Sequence, residues 1–273
     1  MINALTEIIK KYQINITGVS HFGAHICKEI DFYNSLNLDS INLFEPQKEV
    51  YKKLNENVKH YKNVKTYNYA LGNSNFKTKI YSSTTYSGVS ASILKPLEHT
   101  KYFPKVIFDL DNEIVNVVRY DELEIKNVNF FVIDVQGYEL EALKGAEKSL
   151  SLVDVIHIEI SRKELYESNA KIKDLDIFLK RNNFIRIKTE WWSVNAISGD
   201  AIYVKDKFLS RFSILYKRSA LIINNSEIVL FIKKFTKLTY IKVYKFLKSF
   251  KFLRKLVRLF KRLFINLLNL IPR

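Results

Sequence analysis

Three residues in the second half of the chain have side chains and positions suited to proton transfer. Asp134 directly follows the apolar run NFFVI, where a carboxylate costs free energy unless it meets a cation or hydrogen-bond donors. His157 and Glu159 share one face of the next apolar run, VIHIEIS, because side chains alternate along a strand. Taken alone, His157 is equally consistent with a core histidine. Together the three residues are candidates for a general base that removes a proton from a bound hydroxyl group.

A second group of residues follows the first two apolar runs and is typical of a nucleoside site. Gly23 ends the run NITGVSHFG and permits a tight turn, and Glu45 stands 22 residues further along, at the end of SINLFE. An acid at this place and spacing commonly binds the two ribose hydroxyls of an adenosine, although a surface glutamate before a proline is the alternative. Only one glycine of the G-x-G-x-x-G fingerprint is present, so the loop is poorly suited to bind a pyrophosphate. S-adenosylmethionine carries an adenosine without phosphates and fits this pattern better.

The elements predicted around these residues alternate strands with helices, as in a parallel sheet flanked by helices. The strands are predicted over 15–23, 40–46, 64–72, 129–137 and 154–161, and the helices over 24–37, 47–61, 138–150 and 172–184. Residues 184–192 and 200–205 are predicted to close the sheet as an antiparallel pair. In such sheets ligands bind beyond the carboxyl ends of the strands, and the helix after the first strand would present its N-terminus there.

Residues 73–120 are less regular than the rest of this region. Their Ser-, Thr- and Gly-rich stretch 81–92 is expected to be either a solvated connection or the wall of a pocket.

Composition and charge limit the classes of protein to which this chain can belong. The chain has 273 residues, of which 47% are hydrophobic and 26% charged, as in a folded globular protein. The chain has a single cysteine, which predicts that it forms no disulfide of its own. It has no apolar leader and no apolar run of about 18 residues, so we expect a cytosolic chain. Of the 44 Lys and Arg residues, 18 lie within 205–273, which holds only two of the 28 acids. Residues 1–204 are therefore neutral, which argues against nucleic-acid binding by the main domain.

The excess positive charge is concentrated after a linker predicted over 206–227, in a segment that we call the basic tail, residues 228–273. Its Lys and Arg residues recur largely at intervals of three and four, out of phase with Phe, Leu, Ile and Val, which predicts an amphipathic helix. A basic face opposite an aromatic and aliphatic face is typical of helices that lie in a membrane interface, where each cation contributes about 1 kcal/mol. We therefore expect peripheral attachment to the anionic inner face of the membrane.

Several stretches within about residues 15–205 resemble the motifs of FkbM-type methyltransferases, in the order that this family has them. The resemblance is carried by NLFEPQKEVYKKLNENV (42–58), YALGN (69–73), SGVSASIL (87–94), RYDEL (119–123), FVIDVQGYELEALKGA (131–146) and GDAIYVK (199–205). The loop HFGAH, residues 21–25, is similar to a variant found in some relatives. Cys27 stands where that variant usually has glycine, and Val132 where the family often has lysine.

The resemblance implies a Rossmann-like class I methyltransferase fold over residues 1–205, with a mostly parallel sheet and an antiparallel closing hairpin. It also implies S-adenosylmethionine as the cofactor and a glycan or small-molecule hydroxyl as the acceptor, since the family mostly methylates hydroxyl groups on sugars and natural products. Of these we favour a sugar hydroxyl of a surface glycan or glycolipid precursor. The residues expected to bind the cofactor are His21, Gly23, Ala24, His25, Glu45, Ala70, Leu71, Asp134 and Gln136. The residues expected at the catalytic step are Asp134, His157 and Glu159, with Glu139 behind them. We expect His21 to orient the amino-acid end of the cofactor and Cys27 to narrow the pocket there.

A metal site is one alternative to this interpretation. His21, His25 and Cys27 are potential ligands, but they lie at one strand–turn–helix junction with no second cluster nearby in sequence, so we expect no metal there. Asp134 and Glu159 are an alternative ligand pair for a divalent ion.

Two further alternatives concern function. Without the glycine at position 27, the chain is also consistent with a membrane-docked binding module whose cofactor site has degenerated. Nucleic-acid binding, suggested by the net charge of +16 alone, ranks last because the main domain is neutral. Trp191 and Trp192 are predicted either to present a flat apolar face to a sugar ring or to lie in the core.

Overall fold

The computed structural model describes residues 2–85, 88–109, 113–192 and 196–209, and the basic tail lies outside them. The helices are α1 Ile2–Tyr12, α2 Ile30–Ser35, α3 Lys48–Val58, α4 His99–Tyr102, α5 Glu139–Gly145 and α6 Ile172–Arg181. The strands are β1 Gly18–Phe22, β2 Ser40–Phe44, β3 Val64–Tyr67, β4 Ala70–Leu71, β5 Phe76–Ile80, β6 Glu113–Val118, β7 Phe130–Ile133, β8 Val155–Ser161, β9 Phe184–Trp191 and β10 Ser198–Lys205.

Seven of these strands form the main sheet, in the order β3-β2-β1-β7-β8-β10-β9. All of them run parallel except β10, which is antiparallel to both β8 and β9. The central strands β1 and β7 are buried along their whole length, as expected where helices cover both faces of a parallel sheet. The predicted fold class, a mostly parallel sheet closed by an antiparallel hairpin, is confirmed.

Two hydrophobic cores lie on opposite faces of this sheet. One contains buried residues of α1, α2 and α3, such as Leu5 and Leu54, packed against β1, β2 and β7. The other contains buried residues of α5 and α6, such as Leu143 and Leu175, packed against the opposite face of the same strands. Burying one side chain of this size stabilises the fold by about 1.5–3 kcal/mol. The two layers of helices hold the strands so that the carboxyl ends of β1, β2, β7 and β8 meet at one edge.

The helix predicted over 24–37 begins later than expected, at Ile30. Residues 24–29 form turns instead, in which His25 and Cys27 have φ values of 48° and 50°. A right-handed helix requires φ near about −63°, so these two backbone conformations exclude helix in this stretch. The expectation of a helix N-terminus directly behind Gly23 is therefore wrong.

The strand predicted over 64–72 is divided between two sheets. β3 is the edge of the main sheet, whereas β4 pairs with β6 in a separate sheet of order β4-β6-β5. Two strands of this small sheet, β5 and β6, lie near the two ends of the region 73–120, which is irregular in its sequence pattern. β5 is largely exposed, so its sequence carries little apolar signal.

The two ends of the described region add elements that are not predicted. Helix α1 packs Leu5, Ile8 and Tyr12 into the first core, and their helical spacing is the signal that could have identified it. After β10 a short 3-10 turn, Asp206–Leu209, buries Leu209 in the same core, within the segment predicted as a linker. Among the described helices, none is long and apolar enough to cross a membrane.

Candidate functional site

The carboxyl ends of β1, β2 and β7 and the strand β4 border a cavity of about 190 Å³, here called the first cavity. All the residues predicted to bind a cofactor line it, namely His21, Gly23, Ala24, His25, Glu45, Ala70, Leu71, Asp134 and Gln136. These residues are distant in sequence but lie close together, because parallel strands end at the same edge of a sheet.

Gly23 is the point at which the loops after β1 and β7 approach each other. It has φ +79°, and a Cβ atom here would overlap the backbone oxygen of Asp134. The N–H groups of Gly23 and Ala24 both donate to Phe44 O, at 3.0 and 2.8 Å. Glycine is needed at this position, since other residues rarely adopt this φ and no side chain fits.

His21 and Cys27 are buried residues that also line the first cavity. His21 Nδ1 lies 3.0 Å from the hydroxyl oxygen of Tyr33. Burial, and to a smaller extent His157, lower the pKa of His21 to about 3, so its imidazole is neutral at pH 7. Burial raises the pKa of the Cys27 thiol, which therefore stays protonated. Neither side chain brings a charge to the cavity.

Glu45 is buried, and backbone N–H groups hold both of its carboxylate oxygens. Oε2 accepts from the N–H of His25 at 3.0 Å, and Oε1 accepts from the N–H of Gln47 at 2.8 Å. Oε1 also accepts from Gln47 Nε2 at 3.3 Å, whereas Oε2 has one donor and can accept a further hydrogen bond from a ligand hydroxyl group. Burial raises the pKa of Glu45 to about 7, in opposition to these hydrogen bonds.

Gln136 joins two of the acids predicted for the catalytic step. Its Nε2 donates to Asp134 Oδ1 at 2.8 Å and to Glu159 Oε2 at 2.5 Å. Its Oε1 accepts from the hydroxyl of Tyr166 at 2.9 Å, which fixes the orientation of the amide. Burial, followed by the charge of Asp134, raises the pKa of Glu159 well above its usual range and favours its protonated form. Asp134 is the exposed acid of the pair.

Glu139, expected behind these residues, shapes the loop after β7. It is buried, and its Oε1 accepts from the N–H groups of Gly137 at 2.9 Å and Val135 at 3.3 Å. Burial raises the pKa of Glu139 to about 7. Its carboxylate is thus engaged in holding the loop that carries Asp134.

His157 lies beside an acid of the neighbouring strand. His157 and Glu159 occupy partly buried positions of β8 that alternate with buried ones. Asp200 of β10 lies opposite Glu159 in the strand register, and its Oδ1 is 3.4 Å from His157 Nε2. Asp134, Glu159 and Asp200 therefore form a row of acids across β7, β8 and β10.

The two tryptophans at the end of β9 have different environments. Trp191 packs against the second core, and its ring centroid lies 3.8 Å from Cζ of Arg162. Trp192 is 56% exposed, and its Nε1 donates to Asp200 Oδ2 at 3.0 Å. Trp191 is the partly buried residue of the pair and packs against the core, whereas Trp192 presents its ring to solvent.

Two more cavities adjoin the first. The second cavity, about 410 Å³, lies beside α1 and α2 and is lined by His157, Glu159 and Asp200. The third cavity, about 500 Å³, is lined by Glu159 and Trp192 and by residues of α4 and the segment after it. Asp134 lines all three cavities, so it stands where they converge.

One group of described residues has the spacing of metal ligands. Potential ligand atoms of His21, Cys27 and Glu29 lie within 4.8 Å of one another, whereas His25 is not part of this group. The raised pKa of the Cys27 thiol opposes the thiolate that a metal would need.

Several residues of the site are not found by sequence reasoning. Gly88, with φ +85°, has its backbone oxygen 3.2 Å from the donor Gln47 Nε2, and both residues line the first cavity. The described part of the loop 81–92 is thus a pocket wall, one of its two predicted roles. The high serine and glycine content of this loop is the sequence feature that indicates its role. Tyr166 lies outside the loops that follow β1, β2 and β7, and nothing in its local sequence identifies it. Asp200 lies in the stretch GDAIYVK, which indicates the family but not a role for this acid.

The sheet order, the antiparallel β10 and a cavity beyond the strand ends together define a Rossmann-like class I methyltransferase fold. The sequence profile of the methyltransferase FkbM domain matches residues 9–186, more than half of the chain. The chain belongs to the FkbM methyltransferase family. A search of curated proteins found no match.

Solved methyltransferase structures resemble the chain at low sequence identity. FkbM methyltransferase from Methylobacillus flagellatus KT is 13% identical with a TM-score of 0.48, over 70% of this chain and 44% of that one. Magnesium protoporphyrin IX methyltransferase from Synechocystis PCC 6803, solved with bound SAM, is 9% identical with a TM-score of 0.42, over 75% of this chain and 77% of that one. The chain thus spans less than half the length of the first of these proteins.

Proposed function

We propose that this protein is an S-adenosylmethionine-dependent O-methyltransferase that acts on a sugar hydroxyl of a surface glycan or glycolipid precursor. The observation that carries the proposal is the position of Asp134, which lines all three cavities. A methyl donor in one cavity and an acceptor in another would both reach this carboxylate. Holding two reactants in line supplies much of the acceleration in a transfer of this kind.

The residues of the first cavity fit the chemistry of S-adenosylmethionine. Glu45 offers its carboxylate oxygen Oε2 to the ribose hydroxyls, and Gly23 lets the backbone approach the ligand. Ala70 and Leu71 give the cavity an apolar wall, and the neutral His21 offers a hydrogen bond without a charge. When bound, the cofactor supplies an electrophilic methyl group on a sulfonium.

Asp134 is the general base in this proposal. It accepts the proton of the acceptor hydroxyl, and the amide of Gln136 holds its carboxylate in place. The protonated form of Glu159 cannot accept a further proton, so Glu159 positions Gln136 instead. His157 lines the second cavity but not the third, and we assign it to the orientation of Asp200.

The second candidate function is a membrane-docked binding module with a degenerate cofactor site. The observation in its favour is the positive φ of Cys27, at a position where relatives usually have glycine. We rank this function below the enzyme because the residues proposed to bind the cofactor and to act as the base line adjoining cavities.

We further propose that the protein is cytoplasmic and attaches peripherally to the inner face of the membrane through the basic tail. The support is the sequence pattern of cations opposite aromatic and aliphatic residues over residues 228–273. Attachment there would hold the enzyme beside lipid-linked glycan acceptors.

Methyl transfer from isotopically labelled S-adenosylmethionine to surface glycans of a deletion strain tests the enzymatic proposal. We expect labelled methyl ethers of sugars, found by mass spectrometry after hydrolysis, with the full chain and not with the Asp134→Asn variant. Glycans that stay unlabelled, or equal labelling by both proteins, would contradict the proposal.

A further inference from the structure

The third cavity contains two buried polar groups that lack partners. The side chains of His99, on α4, and Ser198, at the start of β10, both line it and are 4% and 1% exposed. Among the described residues, neither His99 Nδ1 nor Ser198 Oγ has a hydrogen-bond partner. Nearly all buried polar groups in folded proteins are paired, so these two groups are suited to hydrogen bonds with a ligand bound in this cavity.

Trp192 provides an exposed aromatic wall for the same cavity. Its hydrogen bond to Asp200 fixes the orientation of the indole, while 56% of the residue surface stays exposed. A large indole held in this way offers a flat apolar face with a defined direction. The C–H face of a sugar ring is complementary to such a surface.

The charges around the third cavity disfavour an anionic ligand. Asp134, which also lines the first cavity, brings a carboxylate to the third cavity, and Lys105, a cation among its described lining residues, is exposed to solvent. Burial lowers the pKa of His99 to about 4, so its ring is neutral at pH 7. A phosphate or carboxylate on the reacting ring would therefore meet the carboxylate of Asp134 rather than a buried cation.

We infer that the third cavity is the acceptor subsite and that it binds a neutral, polyhydroxylated ring such as an uncharged monosaccharide unit. The ring stacks on Trp192, two of its hydroxyl groups bond to His99 and Ser198, and a further hydroxyl is directed to Asp134. This inference rests on the proposed function and adds which residues select the acceptor.

The two tryptophans of the chain make the ring-stacking step measurable. Since the protein has only Trp191 and Trp192, each single Trp→Phe variant leaves one reporter of fluorescence. The probes are methyl glycosides of glucose, mannose and fucose, with glucuronate and glucose 6-phosphate as charged counterparts, added to protein saturated with S-adenosylhomocysteine. We expect a saturable change with a neutral glycoside in the wild type and in Trp191→Phe, and none in Trp192→Phe.

Two further variants test the unpaired groups. Ser198→Ala and His99→Phe keep the size of the side chain approximately and remove the polar atom, so each should weaken glycoside binding about fivefold. Neither should lower the melting temperature, because each removes a buried group that has no partner in the free protein. A purely structural role of these residues would instead lower the melting temperature and leave glycoside binding intact.

The inference is overturned if no neutral glycoside gives a saturable signal, if glucuronate binds as well, or if Trp192→Phe responds like Trp191→Phe. Calorimetry with S-adenosylhomocysteine on the same samples separates these failures from a failure of the proposed function. Retained cofactor binding without glycoside binding contradicts the acceptor subsite alone. Absent cofactor binding in the wild type contradicts the proposed function and the inference together.

Discussion

At position 27, a cysteine occupies a backbone conformation that glycine adopts far more readily. Cys27 is fully buried, lines the first cavity and has φ 50°. A left-handed conformation of this kind costs a residue with a side chain about 1 kcal/mol or more. This φ explains why the family variant has glycine at this position. The cysteine at position 27 therefore costs conformational free energy but adds no charged or reactive group to the cavity.

We expect Cys27→Gly to bind S-adenosylhomocysteine several-fold more tightly than the wild type, since it relieves the backbone and widens the first cavity. Isothermal titration calorimetry measures the difference. Cys27→Ala is the matched control, because it removes the thiol but keeps the Cβ atom and the unfavourable φ. Equal gains in both variants would assign the effect to the thiol and contradict the role of the backbone.

The raised pKa of Glu45 predicts that the stability of the ligand-free protein depends on pH. Its pKa is about 7 when folded, against an ordinary value of 4.5 when unfolded. Between these values the folded state retains a proton that the unfolded state has released, so rising pH lowers the stability. The loss is at most about 3 kcal/mol for a shift of this size.

Glu45→Gln should therefore lose less stability than the wild type between about pH 5 and about pH 8, as measured by urea unfolding. The exposed Glu49→Gln is the control and should follow the wild type. Parallel losses in the wild type and in Glu45→Gln would show that Glu45 does not titrate in this way.

Residues of the site could be predicted from sequence where strand ends and spacing identify them. Gly23, Glu45 and Asp134 each follow an apolar run, and the structure brings all three to the first cavity. His99 and Tyr166 could not be predicted, because they belong to segments without a recognisable pattern and reach the site only through tertiary packing.

At the scale of elements, the loop after β1 depends on its contact with the loop after β7. A Cβ at position 23 would overlap the backbone oxygen of Asp134, which is covalently part of the second loop. Backbone atoms cannot move aside as a flexible side chain can, so the two loops must separate to admit any side chain.

Gly23→Ala should consequently reduce S-adenosylhomocysteine binding by at least tenfold, roughly the effect of 1.4 kcal/mol. The measurement is calorimetry, with circular dichroism to show that the sheet is retained. Ala24→Gly, at the next residue of the same loop, is the comparison and should bind more tightly than Gly23→Ala. Wild-type affinity in Gly23→Ala would contradict the close approach of the two loops.

The centre of the main sheet could be predicted because β1 and β7 are buried on both faces and appear in the sequence as apolar runs. The small sheet could not, since β5 is mostly exposed and β4 is only two residues long. The sequence predicts too early a start for α2 because AHICKE has helix-forming residues, whereas His25 and Cys27 have positive φ in the structure.

At the scale of the whole molecule, a neutral domain precedes a strongly basic segment. Residues 205–273 carry 18 of the 44 Lys and Arg residues, and residues 1–204 carry equal numbers of acids and bases. Surface attraction would therefore depend on the basic tail and weaken with salt, because exposed charges are screened within about 10 Å at 0.1 M salt.

Replacing six tail cations by glutamine in the full chain should reduce flotation with anionic liposomes at least tenfold, since each contributes about 1 kcal/mol near such a surface. The substituted residues are Lys248, Lys251, Lys255, Arg258, Lys261 and Arg262. The control replaces exposed lysines of the main domain, such as Lys52 and Lys59, and should float like the wild type. Unchanged flotation of the tail variant, or flotation that salt does not weaken, would contradict attachment through the tail.

The central claim is that the first cavity binds S-adenosylmethionine through Glu45, next to the acid that serves as the base. Calorimetry with S-adenosylhomocysteine on the wild type, Glu45→Ala and the exposed Glu49→Ala tests it most directly. We predict saturable one-to-one binding by the wild type and Glu49→Ala, and binding weakened at least tenfold in Glu45→Ala, because a buried carboxylate no longer meets the ribose hydroxyls. No binding by the wild type, or equal binding by all three proteins, would contradict it.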